Sequence, residues 1–331
     1  MRIQVITDAW YPQVNGVVRT LTNIGRELEH LGHTVGFITP DRFRNLPCPS
    51  YPEIRLALAS PAAVGRRIEA FAPQALHIAT EGPLGMAARR FALRRMIPFT
   101  TSFHTRFPEY VHARIRLPVA WSYAWLRKFH APARAVMVAT ETMRRDLGHY
   151  GFERLVIWSR GVDMTQFQPG PKSFPEDRRP ILLYVGRVAV EKNVGDFLRL
   201  DASGTKYVVG DGPQLKALKR LYPAVRFVGA KYGDELARYY SGADVLVFPS
   251  RTDTFGNVIL EALASGVPVA AYPCPGPNDI IADHPVGALD EDLGRAVRRA
   301  LEASPETCRA FAHGYSWRAS AEQFLGNLSP F

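Results

Sequence analysis

Arg187 and Lys192 stand five residues apart, just after the apolar run 181–185 and before a stretch that reads as a helix. Two cations on a strand-to-helix loop suit an anion. Arg offers a forked donor, Lys a mobile point charge, and the helix N-terminus a partial positive charge. Exposed basic residues are common in a chain with 41 Lys and Arg, so a solvated pair is the plain alternative. Asp253 and Glu261 form a second group, with seven residues between them and Phe255-Gly256-Asn257-Val258 inside the interval. Taken alone they read equally well as a solvated acid and a helix-surface Glu. The third group is a lone histidine, His104, which follows the stretch 99–103 that reads as a strand; such a histidine is usually structural.

The elements that must position these groups alternate between strand and helix. Residues 244–248 predict a strand and 257–265 a helix, with Gly256 and Asn257 at its start and Gly266 as a left-handed stop; 267–271 predict the next strand. In an open α/β sheet, ligands lie at the carboxyl ends of strands against helix N-termini, which points to the loop 250–256. The chain begins with a strand at 3–7, a helix opening at Gly16 with Leu21, Ile24 and Leu28 on one face, and a strand at 34–38. Gly16 is thus either a simple turn or a point where a loop approaches a diphosphate or an acceptor. Helices at 64–71, 84–96 and 141–150 and strands at 75–78, 99–103 and 136–140 follow. Residues 168–177, rich in Pro and charge, read as a linker, so domains of 1–165 and 166–316 are expected. The second restarts with the strand 181–185, and 207–213 adds a strand and a tight glycine turn.

With 331 residues, 47% of them apolar and 22% charged, the composition is that of a soluble protein with two packed α/β domains. The N-terminus runs directly into a strand and no apolar run approaches about 18 residues, so a cytoplasmic protein is expected. Three scattered cysteines, Cys48, Cys274 and Cys308, suggest neither a disulfide framework nor a zinc site. Residues 1–165 carry 22 Lys and Arg against 12 Asp and Glu, while the remainder is balanced at 19 against 19. The net charge of +10 therefore belongs to the first half, which is expected to meet something acidic.

Pro-Ser at 249–250, Phe-Gly-Asn-Val at 255–258 and Glu-Ala-Leu-Ala-Ser-Gly-Val-Pro-Val at 261–269 together resemble the donor-sugar motif of the retaining family 4 glycosyltransferases. That family usually has Glu-x7-Glu; Asp253 in the first place resembles the branch of lipid sulfoquinovosyl-, mannosyl- and glucosyl-transferases. Val-Gly-Arg at 185–187 and Glu-Lys-Asn at 191–193 resemble its diphosphate clamp, Asn-Gly-Val-Val-Arg at 15–19 its opening, and Gly-Val-Asp at 161–163 its interdomain segment. The likeness spans nearly the whole chain, with weak register between 40 and 75. It implies a GT-B fold of two Rossmann-like domains facing a cleft, with a C-terminal helix, 317–331, crossing back to the first domain. It implies that Asp253 binds a sugar hydroxyl, that Phe255, Gly256, Asn257 and Val258 offer backbone amides to sugar and phosphate, and that Glu261 holds the ribose. Gly186, Arg187 and Lys192 would take the diphosphate, the loop from Ala230 the base, Gly16 a further donor contact, and His104 the reacting sugar. No cofactor and no metal are implied, since fixed cations take the metal's place and no Asp-x-Asp motif lies at a strand end. A UDP-sugar is the favoured donor and GDP-mannose the second.

The acceptor side rests on residues 86–134, which hold ten basic residues against the single acid Glu109, or +9 of the total charge. Within this stretch Trp121, Trp125 and Phe129 recur every four residues beside Arg127 and Lys128, with Arg114 and Arg116 upstream. If the stripe is exposed, it describes an interfacial helix on an anionic membrane surface; the other reading is a core stripe behind a solvated basic face. The expectation is a peripheral enzyme of the inner membrane face acting on a lipid such as diacylglycerol. A soluble saccharide acceptor and a nucleotide-sugar epimerase are the alternatives. A nucleic-acid or other polyanion binder fits poorly, because it would need no second domain.

Overall fold

The computed structural model describes all residues except 14, 49–50, 110–115, 173, 175–176 and 254, together with the side chains of 51–53. The chain divides into two compact units, one made of Met1–Ser159 and Trp317–Phe331 and the other of Arg160–Ser316. The division falls before the expected 165/166 boundary, because the segment after Ser159 packs into the second unit. Val162 and Phe167 are buried there, the Phe167 ring meets Tyr240 edge-on at 5.5 Å, and the Arg309 guanidinium donates to the Phe167 carbonyl at 3.2 Å.

In the first unit, β1 (Arg2–Ile6) leads through α1 (Gly16–His30) to β2 (Thr34–Ile38), and an antiparallel pair, β3 (Asn45–Cys48) and β4 (Tyr51–Ala57), follows. Then come α2 (Pro61–Phe71), β5 (Ala75–Ile78), α3 (Pro83–Arg94), β6 (Thr100–Phe103), α4 (Val119–His130), β7 (Val136–Val138), α5 (Glu141–His149) and β8 (Leu155–Ile157). The main sheet is parallel, in the order β2-β1-β5-β6-β7-β8. The central strands β5, β6 and β7 are buried throughout, and β6 buries Thr100, Thr101 and Ser102 as well as Phe103. Leu84, Ala88 and Phe91 of α3 and Phe129 of α4 fill one side with Val64 and Ile68 of α2. Leu21, Ile24 and Leu28 of α1 fill the other, with Trp158 and with Ala321, Phe324 and Leu328 from the chain's C-terminal end. The α1 N-terminus is closed by Asn15, whose side-chain oxygen accepts from Val17 N and Val18 N at 3.0 Å, a cap that contributes about 1 kcal/mol.

The second unit comprises β9 (Ile181–Val185), α6 (Val194–Arg199), β10 (Thr205–Val209), α7 (Leu215–Leu221), β11 (Arg226–Gly229), α8 (Gly233–Gly242) and β12 (Val245–Phe248), followed by α9 (Asn257–Ala264), β13 (Val269–Ala271), α10 (Pro277–Ile281), β14 (Gly287–Leu289), α11 (Leu293–Ala300) and α12 (Pro305–Ala312). The strand order is β11-β10-β9-β12-β13-β14, all parallel. The first three strands wind one way from β9 and the last three wind the other. The winding reverses between β9 and β12, and the carboxyl ends of the strands at such a point are where ligands bind in open α/β sheets. The final helix, α13 (Trp317–Asn327), belongs to the first unit. Asn327 Nδ2 donates to the Ile157 carbonyl at 2.8 Å and Ser320 Oγ to that of Ser159 at 2.7 Å, which fastens α13 along β8.

Candidate functional site

The reversal point of the second sheet holds the predicted anion loop and the predicted sugar loop together. After β9, Gly186 and Arg187 turn away and a short 3-10 turn, Val190–Lys192, brings Lys192 back. After β12, the loop 250–256 brings Asp253, and the Lys192 ammonium forms an ion pair with the Asp253 carboxylate. Both side chains are partly exposed, 24% and 18% respectively, so neither is sealed from solvent. Two further bonds knit the loops. Thr252 Oγ1 donates to the Glu191 carbonyl at 3.1 Å, and Asn193 Nδ2 to that of Pro249 at 3.3 Å. Thr252 and Asn193 lie inside the sequence motifs, yet no role was legible for them, because their bonds cross from one strand end to another. Asn193 also takes a left-handed conformation, φ 52°, which asparagine tolerates better than most residues.

The Arg187 backbone is held by Tyr184, whose hydroxyl donates to the Arg187 carbonyl at 2.7 Å. Burial pushes this phenol well above its usual range, so Tyr184 stays protonated and a donor. Gly210, at the end of β10, lies so close that a Cβ there would sit 1.8 Å from the Gly186 carbonyl oxygen. Only glycine fits.

Phe255 is buried, while Gly256, Asn257 and Val258 are half-buried at the α9 N-terminus, where Gly256 has φ 85°. Glu261 differs from the helix-surface position that its sequence alone allowed. It is buried, 4% exposed, and accepts from the Tyr240 hydroxyl at 2.7 Å. Ala230 is exposed just beyond β11, on the loop expected to meet the base. Asp163 caps a turn: its Oδ1 accepts from Thr165 N at 2.9 Å and Gln166 N at 3.1 Å.

In the first unit, Gly16 is exposed at the start of α1, and His104 is half-buried beyond the carboxyl end of β6. His104 Nε2 lies 2.8 Å from Ser102 Oγ, and its ring stands edge-on to Trp158 at 5.6 Å. Beyond the end of β1, the buried Asp8 carboxylate accepts from Leu84 N at 2.9 Å, Gly85 N at 3.2 Å and the Thr80 hydroxyl at 2.9 Å, so β1 is stapled to the start of α3. Burial raises the Asp8 pKa against these hydrogen bonds.

The aromatic stripe on α4 divides. Trp121 and Trp125 are exposed, 69% and 46%, beside exposed Arg127 and Lys128, but Phe129 is in the core. The basic stretch divides as well. Arg106 turns inward to pair with Asp146, with Glu109 3.4 Å away, and Arg89 donates to the Lys128 and Phe129 carbonyls at 2.8 Å. Arg90, Arg94, Arg95, Arg116, Arg127, Lys128 and Arg134 are exposed; Arg114 lies outside the described residues. Among the described residues, no helix is long and apolar enough to cross a membrane.

Two family models match the chain, Glycosyltransferase Family 4 over residues 14–166 and Glycosyl transferases group 1 over residues 179–303. A GDP-mannose-dependent alpha-mannosyltransferase of Mycobacterium tuberculosis is 30% identical over 99% of this chain and 96% of its own length. An alpha-monoglucosyldiacylglycerol synthase of Streptococcus pneumoniae is 29% identical over 100% of this chain and 85% of its own. Among solved structures, sucrose-phosphate synthase from Thermosynechococcus elongatus superposes with a TM-score of 0.78 at 20% identity, covering 98% of this chain and 97% of that one; the shared fold is GT-B.

Proposed function

The chain belongs to glycosyltransferase family 4, and on that footing we propose that it moves a sugar from a nucleoside diphosphate sugar to a membrane lipid such as diacylglycerol, with retention at the anomeric carbon. The observation that carries this reading is the meeting of Lys192 and Asp253 at the reversal point of the second sheet, beside Arg187. In this reading Arg187 and Lys192 take the diphosphate and Asp253 a sugar hydroxyl. An ammonium has three N–H donors and can serve a carboxylate and a phosphate oxygen together. The amides of 255–258 face sugar and phosphate, Glu261 the ribose, and the loop from Ala230 the base. When the bond between the anomeric carbon and the diphosphate oxygen breaks, its electron pair leaves with the oxygen. The new charge develops beside cations already in place, which is the economical way to stabilise it. The acceptor hydroxyl adds from the same face and its proton passes to a diphosphate oxygen. No metal or other cofactor is required. His104, on the first unit, polarises the sugar.

The lipid acceptor is supported by the exposed Trp121 and Trp125 on a helix that ends in exposed Arg127 and Lys128, and by the likeness to a diacylglycerol glycolipid synthase. Such a helix suits an enzyme held at the inner face of the membrane. UDP-sugars are the first candidates for the donor, and the likeness to a GDP-mannose-dependent mannosyltransferase supports GDP-mannose as the second. The test is to offer UDP-glucose, UDP-galactose and GDP-mannose with vesicles containing diacylglycerol, or with soluble saccharides, and to follow free nucleoside diphosphate and sugar in the lipid fraction. Sugar appearing in the lipid with the donor's anomeric configuration is the expected result. Transfer to soluble saccharides alone would remove the lipid acceptor, and isomerised donor without any acceptor would make the protein an epimerase.

A further inference from the structure

Strand β6 sends Thr100 and Ser102 to one side, and His104 continues that alternation just past its end. On the adjacent strand, His77 lies opposite Thr100 in the parallel register. The side chains form a continuous chain of hydrogen bonds. Thr100 Oγ1 lies 2.9 Å from His77 Nδ1, His77 Nε2 lies 3.1 Å from Ser102 Oγ, and Ser102 Oγ lies 2.8 Å from His104 Nε2. Ser102 Oγ is also 3.3 Å from the Ala79 carbonyl oxygen. His77, Thr100 and Ser102 have no exposed surface.

We propose that Ser102, held by His77, is a positioning residue that fixes the His104 ring in one tautomer, with its proton on Nε2 and its acceptor lone pair on Nδ1.

The assignment follows from counting protons. A carbonyl oxygen only accepts, so the one hydroxyl proton of Ser102 goes to Ala79. The Ser102 oxygen then accepts twice, once from each imidazole. His77 donates from Nε2, and its Nδ1 accepts from the Thr100 hydroxyl. Every group in the chain is satisfied, as buried polar groups require. Burial lowers the His77 pKa to about 3, so His77 remains neutral with a single proton to place. If Ser102 instead donated to His104, the Ala79 carbonyl would lose this donor.

Packing holds the same ring. The edge of His104 meets Trp158, and Trp158 and His77 each meet Phe324 at 4.9 Å between ring centroids. Phe324 is fully buried on α13, so the last helix of the chain backs the ring cluster that orients His104. An effect of Ser102 on catalysis rests on the proposed role of His104; the tautomer does not.

The test is an imidazole nitrogen–proton correlation spectrum of the ¹⁵N-histidine-labelled full chain, with the His104 signals identified by their loss in His104→Gln. The wild type is expected to show His104 protonated on Nε2. Ser102→Ala should mix the tautomers and lower kcat about ten- to a hundredfold with KM for the donor nearly unchanged, the scale of a misplaced group. Ser102→Thr, which keeps the hydroxyl, should restore both. A wild-type His104 protonated on Nδ1 overturns the proposal, and that spectrum decides the matter even if Ser102→Ala does not fold. An unchanged tautomer in a folded Ser102→Ala overturns it as well. The expected tautomer together with full activity in His104→Gln would uphold the relay and remove the catalytic role of His104 instead.

Discussion

Lys192 and Asp253, 61 residues apart in sequence, meet as an ion pair at the carboxyl ends of two neighbouring strands. At their partial exposure the pair itself adds about 1 kcal/mol or less to stability, so its importance is positional. Arg187→Ala and Lys192→Ala are each expected to lower kcat by roughly two to three orders of magnitude, the scale for losing one transition-state donor. Asp253→Asn should weaken sugar transfer while leaving nucleoside diphosphate affinity nearly intact by calorimetry. Because the two groups touch, Lys192→Ala combined with Asp253→Asn should cost less than the sum of the single changes. Near wild-type turnover in both cation variants would eliminate the clamp, and loss of UDP and GDP binding in Asp253→Asn would make that residue structural.

The packing of Gly210 against the Gly186 carbonyl ties the second strand-end loop to the first. A methyl group at 210, 1.8 Å from that oxygen, must push Gly186 and with it Arg187. Gly210→Ala is expected to destabilise the second unit by roughly 1–3 kcal/mol and to weaken nucleoside diphosphate binding about tenfold or more. Gly148→Ala, on α5 where a Cβ would meet nothing within 4 Å, is the control. Equal melting temperatures and affinities in the two variants would dismiss the role of Gly210.

The centre of the second sheet was legible because parallel strands buried on both faces, such as β9 and β12, leave uninterrupted apolar runs. The run 181–185 matches β9 to the residue. The β3–β4 pair was not legible: Pro47 and Pro52 interrupt the pattern, and proline is tolerated in strands mainly at edges. A spacing of four did not decide which side of α4 faces water. Eight residues advance a helix by about 80° beyond whole turns, enough to carry Phe129 into the core while Trp121 stays outside. The motif residues could be marked, but their partners could not. Lys192 with Asp253, Glu261 with Tyr240 and Arg106 with Asp146 are contacts made only once the strand order is known.

His77 makes the first unit sensitive to acid. Its folded pKa, about 3, lies below the ordinary 6.5, so between these values the unfolded chain binds the extra proton. Stability from this group is therefore complete above pH 6.5 and falls as the pH drops toward 3, by up to about 1.4 kcal/mol per unit. Asp8, whose pKa is raised by burial, works in the opposite sense where it titrates. A comparison with His77→Gln isolates the histidine. The stability advantage of wild type over that variant at pH 7 should shrink by about 2 kcal/mol at pH 5 in urea unfolding. An advantage that is constant with pH would show that His77 is charged, or solvated, in the folded protein.

The membrane reading is decided by the outward face of α4. Trp121 and Trp125 lie one turn apart and exposed, and Arg127 and Lys128 follow at the helix end. Tryptophan rings sit well at the level of lipid headgroups, and each basic residue close to an anionic bilayer adds roughly 1 kcal/mol. Among the described residues, seven basic side chains between 86 and 134 are exposed, so four or five facing one surface would suffice for reversible docking. Arg89 strengthens the platform from inside, since its guanidinium fastens α3 to the last turn of α4. Sedimentation with vesicles should therefore show binding that requires anionic lipid, declines with salt, and weakens when Trp121, Trp125 and Lys128 are replaced by Ala. Arg220→Ala, an exposed cation on α7 of the other unit, should bind like wild type. Equal recovery in the supernatant with anionic and zwitterionic vesicles at low salt would refute membrane docking and leave a soluble saccharide as the acceptor to pursue.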